Sequence, residues 1–471
     1  MKALNFVLAA LVVVSLMGMA LPAAQAADPV RNTTINVLNL RGNPGAMTIT
    51  YYNQDGSLAT METGYSNPQS DTILASAMNV YNPVRAASGF NGSVVIASDV
   101  EIAVVSNFTY ESSAQGLGAY TGISSGAAKI YFPSMSKGNS QQDTFINIQN
   151  TGGSSASITI DFKPESGYSA ITSINDTIPL GAAHTYDLQS LSQFSGVTKW
   201  VGSASVTASG GGTIAGVSIT RKSTDPNAYG VYAYNAFKKG STTVVAPLIQ
   251  EANNGNRTSI NCQNIDVTTA TTITVDYTPE PGNPAKASET KANIGPGVPA
   301  VWVQSDVVSG STPKFVGSAR ISSNPSVPLV CVINQQKRSV GRMSSYEGFD
   351  PADATSTVVL PLLQSKNGSV AKGYNYTTVN ASTSDGSSTT FTLDFRPESG
   401  ISDPTNQDKT GAVAIFDQKD VVTLPNKYVG GGVVTASGGA TIFVVVNQNR
   451  ELMPQSYRDA YSSYDGFNVT P

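Results

Sequence analysis

"DFKPESG", residues Asp161 to Gly167, returns as "DYTPEPG" at Asp276 to Gly282 and as "DFRPESG" at Asp394 to Gly400. A divergent copy, "YYNQDG", stands at Tyr51 to Gly56. Each is followed by an aromatic-x-Gly phrase: "FNGS" from Phe90, "WVGS" from Trp200, "FVGS" from Phe315 and "YVGG" from Tyr428. Each set then closes on a third landmark: "YTGI" from Tyr120, "YNAF" from Tyr234, "YEGF" from Tyr346 and "YDGF" from Tyr464. The closing tyrosines recur about every 115 residues, and self-similarity at a fixed period marks a repeat architecture. Three landmarks in one order, four times over, define four tandem modules.

Within a module the signal is short strands. "TFINIQN" (Thr144 to Asn150) and "SITIDF" (Ser157 to Phe162) alternate apolar and polar residues around the turn "TGGSSA", a hairpin pattern. "SASVTASGGGTIAGVSIT" (Ser203 to Thr220) reads as two more strands around a Gly-rich turn. No helix is expected after the N-terminal segment. The fold class is all-β: four immunoglobulin-like antiparallel β-sandwich modules, each large enough to bury its own core. The expected boundaries are 27–124, 125–240, 241–353 and 354–471.

Residues 1–26 read as a cleaved signal peptide. Lys2 starts a nearly uninterrupted apolar stretch from Phe6 to Leu21, and Ala24-Gln25-Ala26 is a small-x-small cleavage site. The expected product is secreted to the extracellular space or cell surface, with no transmembrane segment. Charged residues are 13% of the chain, against about 25% in an average globular protein. With a net charge of −4 and no basic run, nucleic acid is excluded as a partner class.

Cys262 and Cys331 both fall in the third module, at positions expected to face its core. For an exported protein a bridge between the two sheets is the expectation, with two buried thiols as the alternative. His184 is the single histidine and reads as a surface loop residue. "GISSG" at Gly122 to Gly126 matches a nucleophile-elbow pattern, but it lies between modules, without the helix and base that the elbow needs. No catalytic residue is expected, and the protein reads as a non-enzyme. The recurring carboxylates Asp161 with Glu165, Asp276 with Glu280, and Asp394 with Glu398 are open to three readings, of which a glycosidase-like acid/base pair is set aside with the other catalytic ones; two remain. They are calcium ligands at strand ends, or they are an outward Asp and a turn Glu copied with the module. No other cofactor is expected. Phe90, Trp200, Phe315 and Tyr428 suit core anchors or sugar platforms. The closing tyrosines suit corners bonded to backbone, or contacts between modules.

After three closing phrases comes an apolar strand with proline in its middle: "IYFPSM" (Ile130 to Met135), "VVAPLIQ" (Val244 to Gln250) and "VVLPLLQ" (Val358 to Gln364). Proline lacks the N–H that a central strand donates, so these strands belong at an edge or a bend. Four modules share three such strands, and one terminal module is therefore left with an open edge. Open edges invite pairing with another chain. The expected contact joins the tail of one subunit (Tyr464, Phe467, Asn468, Val469, Thr470 and Pro471) to the mature start of the next (Ala27, Asp28, Pro29, Val30 and Arg31).

Tandem modules built on "T-x-T-hydrophobic-D-F/Y…P-x-G", then "F-x-G-S-A", then a "V-V-x-N"-like strand, resemble repeats in secreted surface proteins of filamentous bacteria such as the Chloroflexi. The resemblance spans the chain after the leader. It implies extracellular display or envelope assembly and carries over no catalytic residue. The expected function is a structural subunit of an extracellular filament, sheath or surface layer that forms a homopolymer. A cell-surface adhesin or carbohydrate-binding stalk, meeting other surface proteins or glycans, is the alternative.

Overall fold

A computed structural model of the chain describes residues 10–14, 30–82, 84–111, 116–222, 230–309, 313–338, 341–369, 373–397, 401–402, 404–419, 427–451 and 461–468. These residues are almost wholly β. Their helical content is confined to 3-10 turns, including Ser192–Phe194 and Pro351–Asp353. No helix among them is long and apolar enough to cross a membrane.

Among the described residues eight antiparallel sheets form four pairs, one pair for each repeat. In the second module one sheet runs Ala183–Asp187, Gln142–Asn150, Ile214–Lys222, Val231–Asn235. Its mate runs Ile174–Ile178, Ala156–Pro164, Trp200–Ala208, Lys129–Lys137. The third module repeats this order strand for strand, and the fourth elaborates it with short extra strands. Alternation drives the pairing. In Ala156–Pro164 the residues Ala156, Ile158, Ile160 and Phe162 are buried, whereas the side chains between them are less so.

The aromatic-x-Gly phrase has a packing cause. Phe90, Trp200, Phe315 and Tyr428 are all core residues, between 0% and 6% exposed. Each ring folds back over the glycine two residues on: a Cβ at Gly202 would lie 2.3 Å from the Trp200 ring, and one at Gly317 would lie 2.8 Å from Phe315. Trp200 also packs edge-on against Phe162 and Phe194, and its indole N–H donates to the Ser169 carbonyl at 3.0 Å.

Cys262 and Cys331 form a disulfide. They stand directly opposite each other on Asn256–Asn264 and Leu329–Lys337, which are neighbours in one sheet. The bridge therefore staples two strands of a single sheet, and the inter-sheet placement expected from sequence does not occur. The inward alternation was read correctly; it cannot tell a partner across the sheet pair from a partner on the next strand.

The four modules do not lie in a row. Their closing strands, Gly116–Thr121, Val231–Asn235, Arg342–Glu347 and Tyr461–Asp465, neighbour one another in cyclic order, and the fourth meets the first. The cores follow the same cycle. Val217 of the second module joins the core cluster of the first, Val332 of the third joins that of the second, and Val445 of the fourth joins that of the third. Val105 and Ala119 of the first module close the cycle in the core cluster of the fourth. The chain is thus a pseudo-fourfold ring, in which each module buries apolar surface against the next.

Candidate functional site

The proline strands define the site. Lys129–Lys137 pairs with Trp200–Ala208, Thr243–Glu251 with Phe315–Asn324, and Thr357–Ser365 with Tyr428–Ala436. Each proline strand therefore belongs to the module that follows it in sequence. In all three the register slips at the proline. The partners jump from Phe132 to Met135, from Ala246 to Ile249 and from Leu360 to Leu363, past Pro133, Pro247 and Pro361. Proline has no N–H to give the ladder, and a bulge is where that loss is tolerated.

The bulge leaves the residue after each proline with its N–H and C=O turned out of the ladder, and the closing tyrosine takes both. Tyr234 donates to the Ser134 carbonyl at 2.7 Å and accepts from its N–H at 3.2 Å. Tyr346 does the same with Leu248, at 2.6 and 3.1 Å. Tyr464 does so with Leu362. Burial pushes all three hydroxyls well above the usual tyrosine range, so they stay protonated donors. The aromatic residue ending each closing phrase then lies on the outer side of the same strand: Phe237 pairs with Tyr131, Phe349 with Val245 and Phe467 with Val359.

In the first module that place is taken by Ala10–Val14. This strand runs antiparallel along Gly92–Ser98, from Ala10 opposite Ile96 to Val14 opposite Gly92. It comes from the middle of the segment that the sequence reads as a leader. Among the described residues, nothing from 30 onward covers this outer edge. The first-module edge on the strand that follows Phe90 is thus the one that no proline strand fills; in this structure Ala10–Val14 covers it.

The tail and start positions lie elsewhere. Tyr464 is 2% exposed and bonded within its own module, and Asn468 donates to the Asp353 carbonyl at 2.6 Å. Val30 and Arg31 begin a strand that pairs with Ile102–Glu111. Ala27, Asp28, Pro29, Val469, Thr470 and Pro471 fall outside the described residues. The last and first modules meet within one chain, through Tyr461–Asp465 and Gly116–Thr121.

The recurring carboxylates are not brought together. Asp161 accepts from the Ser173 hydroxyl, Asp276 accepts from Ser288, and Asp394 pairs with Arg396. Glu165 lies 3.8 Å from Lys291 of the next module, and Glu280 faces Lys409 of the module after it. Burial raises both glutamates above the usual carboxylate range, against the pull of those lysines. Glu398 falls outside the described residues. Among the described residues no three acidic, histidine or cysteine groups come together as metal ligands.

Other seam residues escaped the sequence reading. His184 is half-buried and bridges two modules, with Nδ1 2.9 Å from Asp176 and Nε2 3.1 Å from the Gln54 carbonyl of the first module. In the first two modules the serine of the aromatic-x-Gly-Ser phrase reaches the next module: Ser93 donates to the Gly181 carbonyl at 2.5 Å and Ser203 to that of Gly297 at 2.7 Å. At the ring centre the residue after each closing tyrosine converges on its counterparts. Asn235 donates from its side chain to Thr121 and from its backbone to Glu347. Asp465 lies against Glu347, and burial together with that carboxylate raises Asp465 well above the usual range.

A raised carboxyl pKa means that the folded ring holds this proton more tightly than the unfolded chain does. That stability is complete below the unfolded value, about pH 3.9 for aspartate, and is lost as pH rises through the folded value. Asp465→Asn should therefore stabilise the ring at pH 8 by on the order of 1 kcal/mol and leave it unchanged near pH 3.5. Urea midpoints at the two pH values measure this; a stabilisation that did not depend on pH would assign it to something other than the proton.

No protein-family model matches the chain, and a search of curated proteins finds no match.

Proposed function

We infer that this protein is a non-enzymatic structural subunit of an extracellular filament, sheath or surface layer, assembling through the outer edge of its first module. One observation carries the reading. The edge of Gly92–Ser98 is covered by a strand from the apolar leader-like segment, whereas each equivalent edge is covered from within the folded repeats. Once the leader is removed, that edge presents unpaired backbone groups, the template on which another chain adds a strand. The cyclic packing of the modules favours a rigid building block. The scarcity of charge favours close lateral packing, and the resemblance to surface repeats of filamentous bacteria points the same way.

Electron microscopy of the exported chain tests this. Four-lobed particles joined into fibres or sheets are expected; particles that stay single at high concentration would sink the reading.

The adhesin alternative draws on a different observation. A cavity of about 970 Å³ between the second and third modules is lined by polar groups, among them Tyr168, Arg257, Asn261, Asn334 and Gln336. Arg257 directs Nε and Nη2 to the Gln336 side-chain oxygen at 3.1 and 2.9 Å, and burial holds its pKa below the usual range. Amides, a tyrosine and a partly desolvated guanidinium suit a polar ligand such as a glycan. Glycan binding by single particles would favour this second reading.

A further inference from the structure

The first module carries the whole apparatus of the proline-strand slot. Gly92 stands where Gly202, Gly317 and Gly430 stand, with Phe90 packed over it. Tyr120, 5% exposed, occupies the place of the three tyrosines that cap the residue after proline. Ile123, 8% exposed, takes the place of Phe237, Phe349 and Phe467. What differs is the occupant. Ala10–Val14 follows Gly92–Ser98 in unbroken register, without proline and without a bulge, so no residue turns its N–H and C=O toward the tyrosine position. The slot is built for a bulged strand and holds a straight one.

We propose that the first-module slot, once the leader is removed, receives an apolar strand interrupted by a central proline from a protein other than a second copy of this chain, whose own three proline strands are paired within their modules, with Tyr120 capping the residue after that proline. The proposal rests on reading this edge as an assembly surface and adds the chemistry of its occupant. The three filled slots define that chemistry: "IYFPSM", "VVAPLI" and "VVLPLL" each place apolar residues before the proline and one apolar residue two positions beyond it. Specificity follows from two demands made together. The strand must offer apolar side chains on its inner face, and its backbone must break register where the hydroxyl waits. A straight strand meets only the first demand and leaves the Tyr120 hydroxyl with the Ser106 side chain, without the backbone N–H and C=O that its sister tyrosines take.

The test uses the chain as exported into the medium and a labelled peptide with the sequence of Thr243–Glu251, followed by fluorescence anisotropy. The peptide is expected to bind one per chain. Replacing its proline by alanine should weaken binding at least tenfold, as should Tyr120→Phe in the chain. The variant's circular dichroism and melting curve establish that it is folded. A peptide of residues 8–16 should bind more weakly than the proline peptide. No binding, or equal binding of proline and alanine peptides with Tyr120→Phe silent, would overturn the proposal. The two levels separate cleanly. Tight, proline-dependent binding by a chain that never forms fibres keeps the slot and removes the filament. Fibres that grow undiminished with the slot saturated by peptide keep the filament and show that it does not assemble through the slot.

Discussion

Gln335→Leu should destabilise the chain by about 3–5 kcal/mol and loosen the ring at the seam between the third and fourth modules. Gln335 is 1% exposed, and its side chain serves three residues across that seam. Its amide nitrogen donates to Asn447 and to Ser463, both at 3.0 Å. Its oxygen accepts from Asn447 at 3.1 Å and from the Tyr461 hydroxyl at 2.7 Å. Leucine fills a similar volume but strips these buried groups of their partner, at about 1–3 kcal/mol for each group left unsatisfied. The loss falls on inter-module contact, so two readouts should move together: the urea midpoint drops, and the radius of gyration from small-angle scattering rises before the modules unfold. A lower midpoint with no change of dimensions would mean that this network supports the third module alone.

Removal of residues 1–26 should lower the stability of the first module by about 2–5 kcal/mol while sparing the others. The deleted segment contributes a strand pairing with five residues, Gly92 to Ile96. Each backbone hydrogen bond is worth about 0.5–1.5 kcal/mol net, and apolar cover is lost with them. Native-state hydrogen exchange locates the effect. Amides of Gly92–Ser98 should lose protection, and those of the equivalent strands Trp200–Ala208 and Phe315–Asn324, still covered by their own proline strands, should keep theirs. Unchanged protection at Gly92–Ser98 would show that the N-terminal strand does not hold that edge closed.

The seam residues show why part of the site was hidden in the sequence. "VINQQK" (Val332 to Lys337) and "VVNQN" (Val445 to Asn449) end in polar residues, which alternation alone gives no reason to bury. Asn334, Gln335, Asn447 and Gln448 are instead buried, between 1% and 8% exposed, because the neighbouring module covers them. Alternation identifies the face turned away from a module's own core, but carries no sign of what lies beyond that face. His184 was misread as a surface residue for the same reason. Tyr120 belongs to a repeated landmark and could be aligned from sequence, yet its role became visible only once three sister tyrosines were seen gripping the residue after a proline.

The repeats, their strands, the core aromatics, the bent proline strands and the shortage of one such strand were all written in the sequence. Each depends on local spacing, on the alternation of side chains, or on the missing N–H of proline. The tertiary structure alone decided which module owns each proline strand, that the two cysteines share one sheet, and that four modules close into a ring. Ring closure depends on the angle at which one module meets the next. The four closing strands meet where they carry small buried residues, Ala119, Ala233, Ser345 and Ser463, whose size leaves room for close approach. Alanine and serine are among the commonest residues of any strand-rich chain, and nothing local distinguishes those that let four strands meet from those that face water.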